Sequence, residues 1–201
     1  MRQPMTNKIQ FWFEFASTYS YLSAMRIEEL AAQHGVAVEW HPFLLGPIFA
    51  AQGLDNTPFN IYPDKGRYMW RDMERLTAQR GLVFTRPDPF PQNGLKAARL
   101  ALAIKDQSQK AAFIRAVYSA EFAEGRNISD DEVLITCLTQ VGLAAETLNQ
   151  CQEPAIKAAL MEQTKTAQAK GIFGAPSFLV GDELFWGDDR LDDAIQLAAE
   201  V

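Results

Sequence analysis

In residues 8–21, KIQFWFEFASTYSY, an aromatic-rich run gives way within a few positions to hydroxyl side chains. Residues 8–15 mix apolar and polar positions as a strand of a covered sheet does, and the strand ends at Ala16-Ser17-Thr18. Over residues 19–34, Leu22, Met25, Ile27, Leu30 and Ala31 recur at near-helical spacing, and Gly35 stands where a helix would stop. Residues 36–45, VAVEWHPFLL, alternate and begin β-branched, with Pro42 limiting a second strand near its end. Strand, helix and strand in this order make a βαβ unit with parallel strands and a right-handed crossover.

Outward from this unit the chain changes character. From Tyr62 to Lys170 nearly every stretch has helical period, and helices are expected over 65–80, from 93 onward, and over 109–124, 130–141 and 154–170. The segment RPDPFPQN, with Pro87, Pro89 and Pro91, interrupts them. Ser129 followed by Glu132 has the spacing of a capping box. β character returns in residues 176–180 and 183–186, separated by the hairpin signal Gly181-Asp182, and residues 188–201 close the chain with an acid-led helical pattern. The order βαβ, helical block, ββα predicts an α/β fold with a discontinuous domain (1–61 and 171–201) holding an all-helical insertion (62–170).

With 201 residues, 48% apolar and 22% charged, the composition is that of one globular core, and a net charge of −6 without a Lys/Arg cluster argues against nucleic acid or an anionic membrane as partner. Apolar runs such as Phe11 to Phe13 are far below membrane-spanning length, and the first ten residues contain no secretory stretch, so a cytoplasmic location is the expectation. Cys137 and Cys151 lack CxxC spacing and read as reduced thiols. The two histidines, His34 and His41, fit no metal-ligand spacing, and no metal is expected. Phosphate-cradling glycine motifs and the GxSxG elbow are missing as well.

Two segments remain that carry chemistry. Ser17, between the first strand and helix, is placed either as a plain N-cap or as a hydroxyl beside an anion or thiolate at the helix start. In FGAPSFLVGDELFWGDDRL, residues 173–191, Ala175-Pro176 precedes a strand, where a cis bond would present the backbone of Ala175 to an extended ligand. Asp188 and Asp189 begin the last helix, where carboxylates either cap it or bind an ammonium group. Arg190 reads as a partner for a neighbouring carboxylate.

Together these residues resemble the thioredoxin-fold family of 2-hydroxychromene-2-carboxylate isomerase and the kappa-class glutathione transferases, itself similar to the disulfide oxidoreductase DsbA. The family's Ser-Pro-Tyr-Ser-Tyr motif appears as Ser17-Thr18-Tyr19-Ser20-Tyr21, with Thr18 replacing proline; Asn56, Pro63, Lys65, Tyr68-Met69, Asp72, Phe90-Pro91-Gln92-Asn93 and the 173–191 block also match. The resemblance implies a thiol supplied by glutathione, with Ser17 as the catalytic residue donating to the thiolate. It implies Ala175 and Pro176 at the cysteinyl backbone, Asp188 and Asp189 at the γ-glutamyl end, Asn56 at another polar part, and, more weakly, Lys65 and Asn93 at the carboxylate of a small aromatic substrate. It further implies a homodimer and cis–trans isomerisation in aromatic catabolism by thiolate addition, bond rotation and elimination. The competing expectations are a kappa-like transferase or peroxidase and a thioredoxin-fold binding protein without catalysis.

Overall fold

The computed structural model describes residues 7–201. Strand β1 (Lys8–Phe13) is central: it pairs in parallel with β2 (Ala37–Pro42) and antiparallel with β3 (Ser177–Val180), which forms a hairpin with β4 (Glu183–Trp186), in the order β2-β1-β3-β4. The register sets Phe11 between Trp40 and Phe178, so alternate aromatics of three strands fall on one face. On that face Phe11 stacks on Phe178 with ring centroids 5.3 Å apart, and Phe13 meets Phe15 edge-on at 5.4 Å. Trp12 points the other way and packs with Phe43, Ile172 and Leu179.

Between β1 and β2 lie α1 (Thr18–Ala24) and α2 (Ile27–Gln33), two helices where the periodicity predicts one. The break falls at Met25-Arg26, where Arg26 leaves helical geometry (φ −129, ψ −17) and its guanidinium donates to Asp192 (2.8 Å) and to the Asp188 carbonyl (2.8 Å). β2 also ends sooner than expected. Phe43 N–H makes the last bond to β1, at Phe13 O (3.0 Å), after which Leu44 N–H turns to the Thr164 hydroxyl and α3 (Leu45–Ala51) begins, with Pro47 in its first turn.

The helical block continues with α4 (Pro58–Ile61), α5 (Pro63–Gln79), α6 (Leu95–Ala103), α7 (Gln107–Phe122), α8 (Asp131–Gln140), a 3-10 segment Ala145–Gln152 that periodicity does not reveal, and α9 (Pro154–Ala169). A second 3-10 turn, Asp188–Arg190, precedes α10 (Leu191–Glu200). The main buried cluster runs unbroken from Phe11 and Phe178 in the sheet to Phe113, Leu134 and Leu138 in the helices. The expected capping box is not formed: α8 starts after Asp130, and the Ser129 hydroxyl donates instead to Asn127 Oδ1 (2.8 Å). Among the described residues no helix is long and apolar enough to cross a membrane.

The stretch leading into the proline-rich segment is moored to α1 through Tyr21, whose hydroxyl donates to Val83 O (2.9 Å) while its ring stacks on Phe122 at 5.5 Å. Tyr21→Phe keeps the ring and loses the bond, and the expected cost is about 1 kcal/mol in urea unfolding.

Candidate active site

Ser17 is the N-cap of α1, and its backbone is extended there (φ −87, ψ 113). Its hydroxyl oxygen accepts the Ser20 N–H (3.2 Å) and its proton is donated to Ala175 O (2.9 Å). The cap reading holds, and the same side chain bonds across 158 residues of sequence to the second informative segment. Thr18, where the family pattern has proline, is buried as the first residue of α1, and the cap bond is kept.

Ala175-Pro176 is cis. Pro176 O accepts the Gly187 N–H (3.0 Å), so the start of β3 holds the turn that carries Asp188 and Asp189. Gly187 has φ +106, and a Cβ there would sit 2.5 Å from Asp189 Oδ1. Glycine is thus required both by the backbone and by the folded-back carboxylate. Nearby, the Trp186 ring lies across Gly174, where a Cβ would meet Nε1 at 2.4 Å, and it contacts the half-exposed Phe173 at 4.9 Å.

The two aspartates have separate fates. Asp188 is only 4% exposed; Oδ1 accepts the Ser23 hydroxyl (2.9 Å) and Arg80 (3.1 Å), Oδ2 takes the other Arg80 nitrogen, and Arg26 lies 3.5 Å away. Both oxygens are spent inside the protein, so the structure uses Asp188 to hold the turn rather than leaving it open to an ammonium group. Asp189 is largely exposed, with Arg190 at 3.4 Å, as its sequence neighbourhood suggests.

The structure does not join Asn56, Lys65 and Asn93 to Ser17 by any contact. Asn56 is exposed and its Oδ1 accepts Thr57 N–H (2.8 Å) and Asn60 Nδ2 (3.2 Å); Asn60 in turn reaches Phe90 O. Asn60 and Phe90 line, with Trp70 and Arg86, a cavity of about 420 Å³. Lys65 lies over the Tyr62 ring (4.6 Å), and Asn93 Oδ1 accepts the Leu95 N–H (3.0 Å) at the start of α6. α5 is nonetheless tied to the Ser17 helix, since Tyr19 donates to Asp72 Oδ2 (2.9 Å). Burial, and then the Asp72 carboxylate, push the Tyr19 phenol well above its ordinary range.

Sequence reading missed Arg80, Ser23 and Gly187, because each acts through a partner distant in sequence or through a backbone angle. Cys137 and Cys151 are both buried, and burial pushes the Cys137 thiol up to about 11, away from a reactive thiolate.

Residues 8–197 match the DSBA-like thioredoxin domain. The chain is 32% identical over 189 residues to 2-hydroxychromene-2-carboxylate isomerase of Sphingobium xenophagum, covering 94% of this chain and 96% of the relative. It is 24% identical over 202 residues to glutathione S-transferase kappa 1 of Caenorhabditis elegans, covering 93% and 88%. A solved structure of a 2-hydroxychromene-2-carboxylate isomerase superposes with a TM-score of 0.88 at 23% identity, covering 96% of this chain and 95% of that one.

Proposed function

Since the chain belongs to the DsbA-like thioredoxin family, in the group of the 2-hydroxychromene-2-carboxylate isomerases and kappa-class glutathione transferases, we propose that it is a glutathione-dependent cis–trans isomerase of a small aromatic carboxylate of the 2-hydroxychromene-2-carboxylate type, acting in aromatic catabolism. The observation that carries this reading is the Ser17 hydroxyl bonded to Ala175 O at 2.9 Å, on a segment whose Pro176 O holds the turn that carries the exposed carboxylate of Asp189. That donor set fits the tripeptide: a hydroxyl for sulfur, the Ala175-Pro176 backbone for the cysteinyl unit, and an acid for the ammonium.

When bound, glutathione supplies a thiolate nucleophile that splits one difficult isomerisation into an addition and an elimination. Ser17 has a single proton, now held by a neutral carbonyl; an anionic sulfur is the stronger acceptor, so the hydroxyl turns from Ala175 O toward it. This frees the Ala175 carbonyl to accept an N–H of an extended ligand. Asp189 pairs with the ammonium, and Asp188, fixed by Arg80 and Ser23, keeps the Gly187 turn in place for it. Asn56 takes a further polar group of the tripeptide, while Lys65 and Asn93 receive the substrate carboxylate. The same family membership supports a cytoplasmic homodimer.

Calorimetric titration with reduced glutathione tests the site. Saturable binding is expected for the wild type, and Asp189→Ala weakens it about tenfold, the loss of one exposed charge-assisted contact. Absence of binding by the wild type would overturn the proposal and favour a thioredoxin-fold protein without thiol chemistry.

A further inference from the structure

Side-chain links close a frame around the two ends of the proposed glutathione site, and one link, Tyr19 to Asp72, has no role in the reaction as described. Tyr19 stands two residues after Ser17 on α1, and its hydroxyl donates to Asp72 Oδ2 on α5 (2.9 Å). Ser23 lies four residues further along α1, hence on the same face. Its hydroxyl donates to Oδ1 of Asp188 (2.9 Å), the residue before Asp189. Arg80, just past the end of α5, completes the frame with a guanidinium that donates to both Asp188 oxygens.

The corners of this frame move together because helices are stiff. Asp72 and Arg80 are joined by roughly 12 Å of helix rise. α5 is seated near its start as well: a Cβ on Gly66 would lie 2.4 Å from Phe59 O, so α5 meets α4 at backbone contact, and the Phe59 ring lies 6.4 Å from that of Tyr19. At Asp188, Ser23 and Arg26 both meet Oδ1, whereas Oδ2 meets Arg80 alone among the described residues. Contacts at one oxygen leave the carboxylate a pivot, and the planar fork of Arg80 fixes its plane. The placement of Arg80 therefore decides how the Gly187 turn presents Asp189. Among the described residues, Tyr19 to Asp72 is the one side-chain hydrogen bond between α1 and α5. The Tyr19 hydroxyl has a single proton and gives it to Asp72, so its effect on the site passes through α5.

We propose that Tyr19 and Asp72 are positioning residues for glutathione: their bond sets α5 and, through Arg80 and Asp188, the span between the thiol end at Ser17 and the ammonium end at Asp189. The inference rests on the glutathione reading. A γ-glutamyl thiol reaches both ends at once, and the two anchorages reinforce each other only while the span is held. With the bond lost, α5 and Arg80 relax and the Asp189 carboxylate leaves the place the ammonium requires. Ser17, bonded to Ala175 O and to the Ser20 N–H, keeps its own geometry.

The test is a double-mutant cycle on glutathione affinity, read by calorimetric titration. Tyr19→Phe keeps the ring and loses the bond, and it is expected to weaken binding about fivefold in the wild-type background. In the Asp189→Ala background the same change is expected to weaken it by no more than about twofold, because the contact that the frame places is already gone. Asp72→Ala should match Tyr19→Phe, whereas Asp72→Asn, whose amide oxygen still accepts the phenol proton, should keep near-wild-type affinity. Equal fold losses in both backgrounds, the signature of a merely structural role, overturn the inference while leaving glutathione binding standing. So does a Tyr19→Phe affinity, or an Asp189→Ala affinity, equal to that of the wild type. Should Tyr19→Phe not fold, Asp72→Ala set against Asp72→Asn runs the same cycle from the other side of the bond. No binding by the wild type removes the reading and the inference together.

Discussion

Ser17→Ala is expected to lower kcat/KM for the isomerisation on the order of a hundredfold, the usual cost of removing one preorganised donor from a developing or bound anion. Among the described residues, Ser17 offers the only side-chain proton aimed at the Ala175 carbonyl, 2.9 Å away. Without it the bound thiol has no hydroxyl to stabilise its ionised form, so its pKa rises and the thiolate fraction at neutral pH falls. The substitution also removes the acceptor of the Ser20 N–H, a cap loss of about 1 kcal/mol. Measuring urea stability beside the pH dependence of thiolate absorbance separates the two: the cap loss lowers stability alone, whereas the catalytic role moves the thiolate titration upward. A Ser17→Ala enzyme with unchanged kcat/KM and thiolate titration would reduce the residue to a cap.

Asp188→Ala is expected to destabilise the fold by about 3 kcal/mol. Removing one partner of a buried ion pair costs roughly 3–5 kcal/mol, and the lower end applies because Arg80 and Arg26 keep about a quarter of their side-chain surface exposed and regain water. The damage spreads to the ligand side. Ser23, Arg26 and Arg80 all converge on this carboxylate or its backbone, and the turn they hold also carries Asp189. Asp188→Ala should therefore weaken glutathione binding as well, although Asp188 has no free oxygen for a ligand. Chemical unfolding gives the stability change. Calorimetry at a temperature where the variant remains folded gives the affinity, and a variant of wild-type stability would contradict the network assigned to Asp188.

How far the sequence could be read depended on how local each signal was. β4 was legible to the residue, since Gly181-Asp182 marks the hairpin and Glu183–Trp186 alternates. Ser17 was legible because hydroxyls after a strand make caps, and Ala175-Pro176 because proline heads a strand. What escaped were features fixed by distant partners. Nothing local at Met25-Arg26 announces a helix break, yet Arg26 leaves helical geometry there and its guanidinium reaches Asp188 and Asp192. Asp188 and Asp189 are alike in sequence, and only the fold separates them, burying one against Arg80 and leaving the other at the surface. Ser129 lost its cap role to Asp130 because Asn127, two residues earlier, accepts its hydroxyl.

The most direct test of the central claim follows 2-hydroxychromene-2-carboxylate optically with the purified protein, with and without reduced glutathione, while total free thiol is counted. Isomerisation that requires glutathione, at constant free thiol over many turnovers, is the predicted result. Isomerisation at the same rate without glutathione, or stoichiometric loss of thiol into a released conjugate, would contradict it, the latter in favour of a transferase built on the same site.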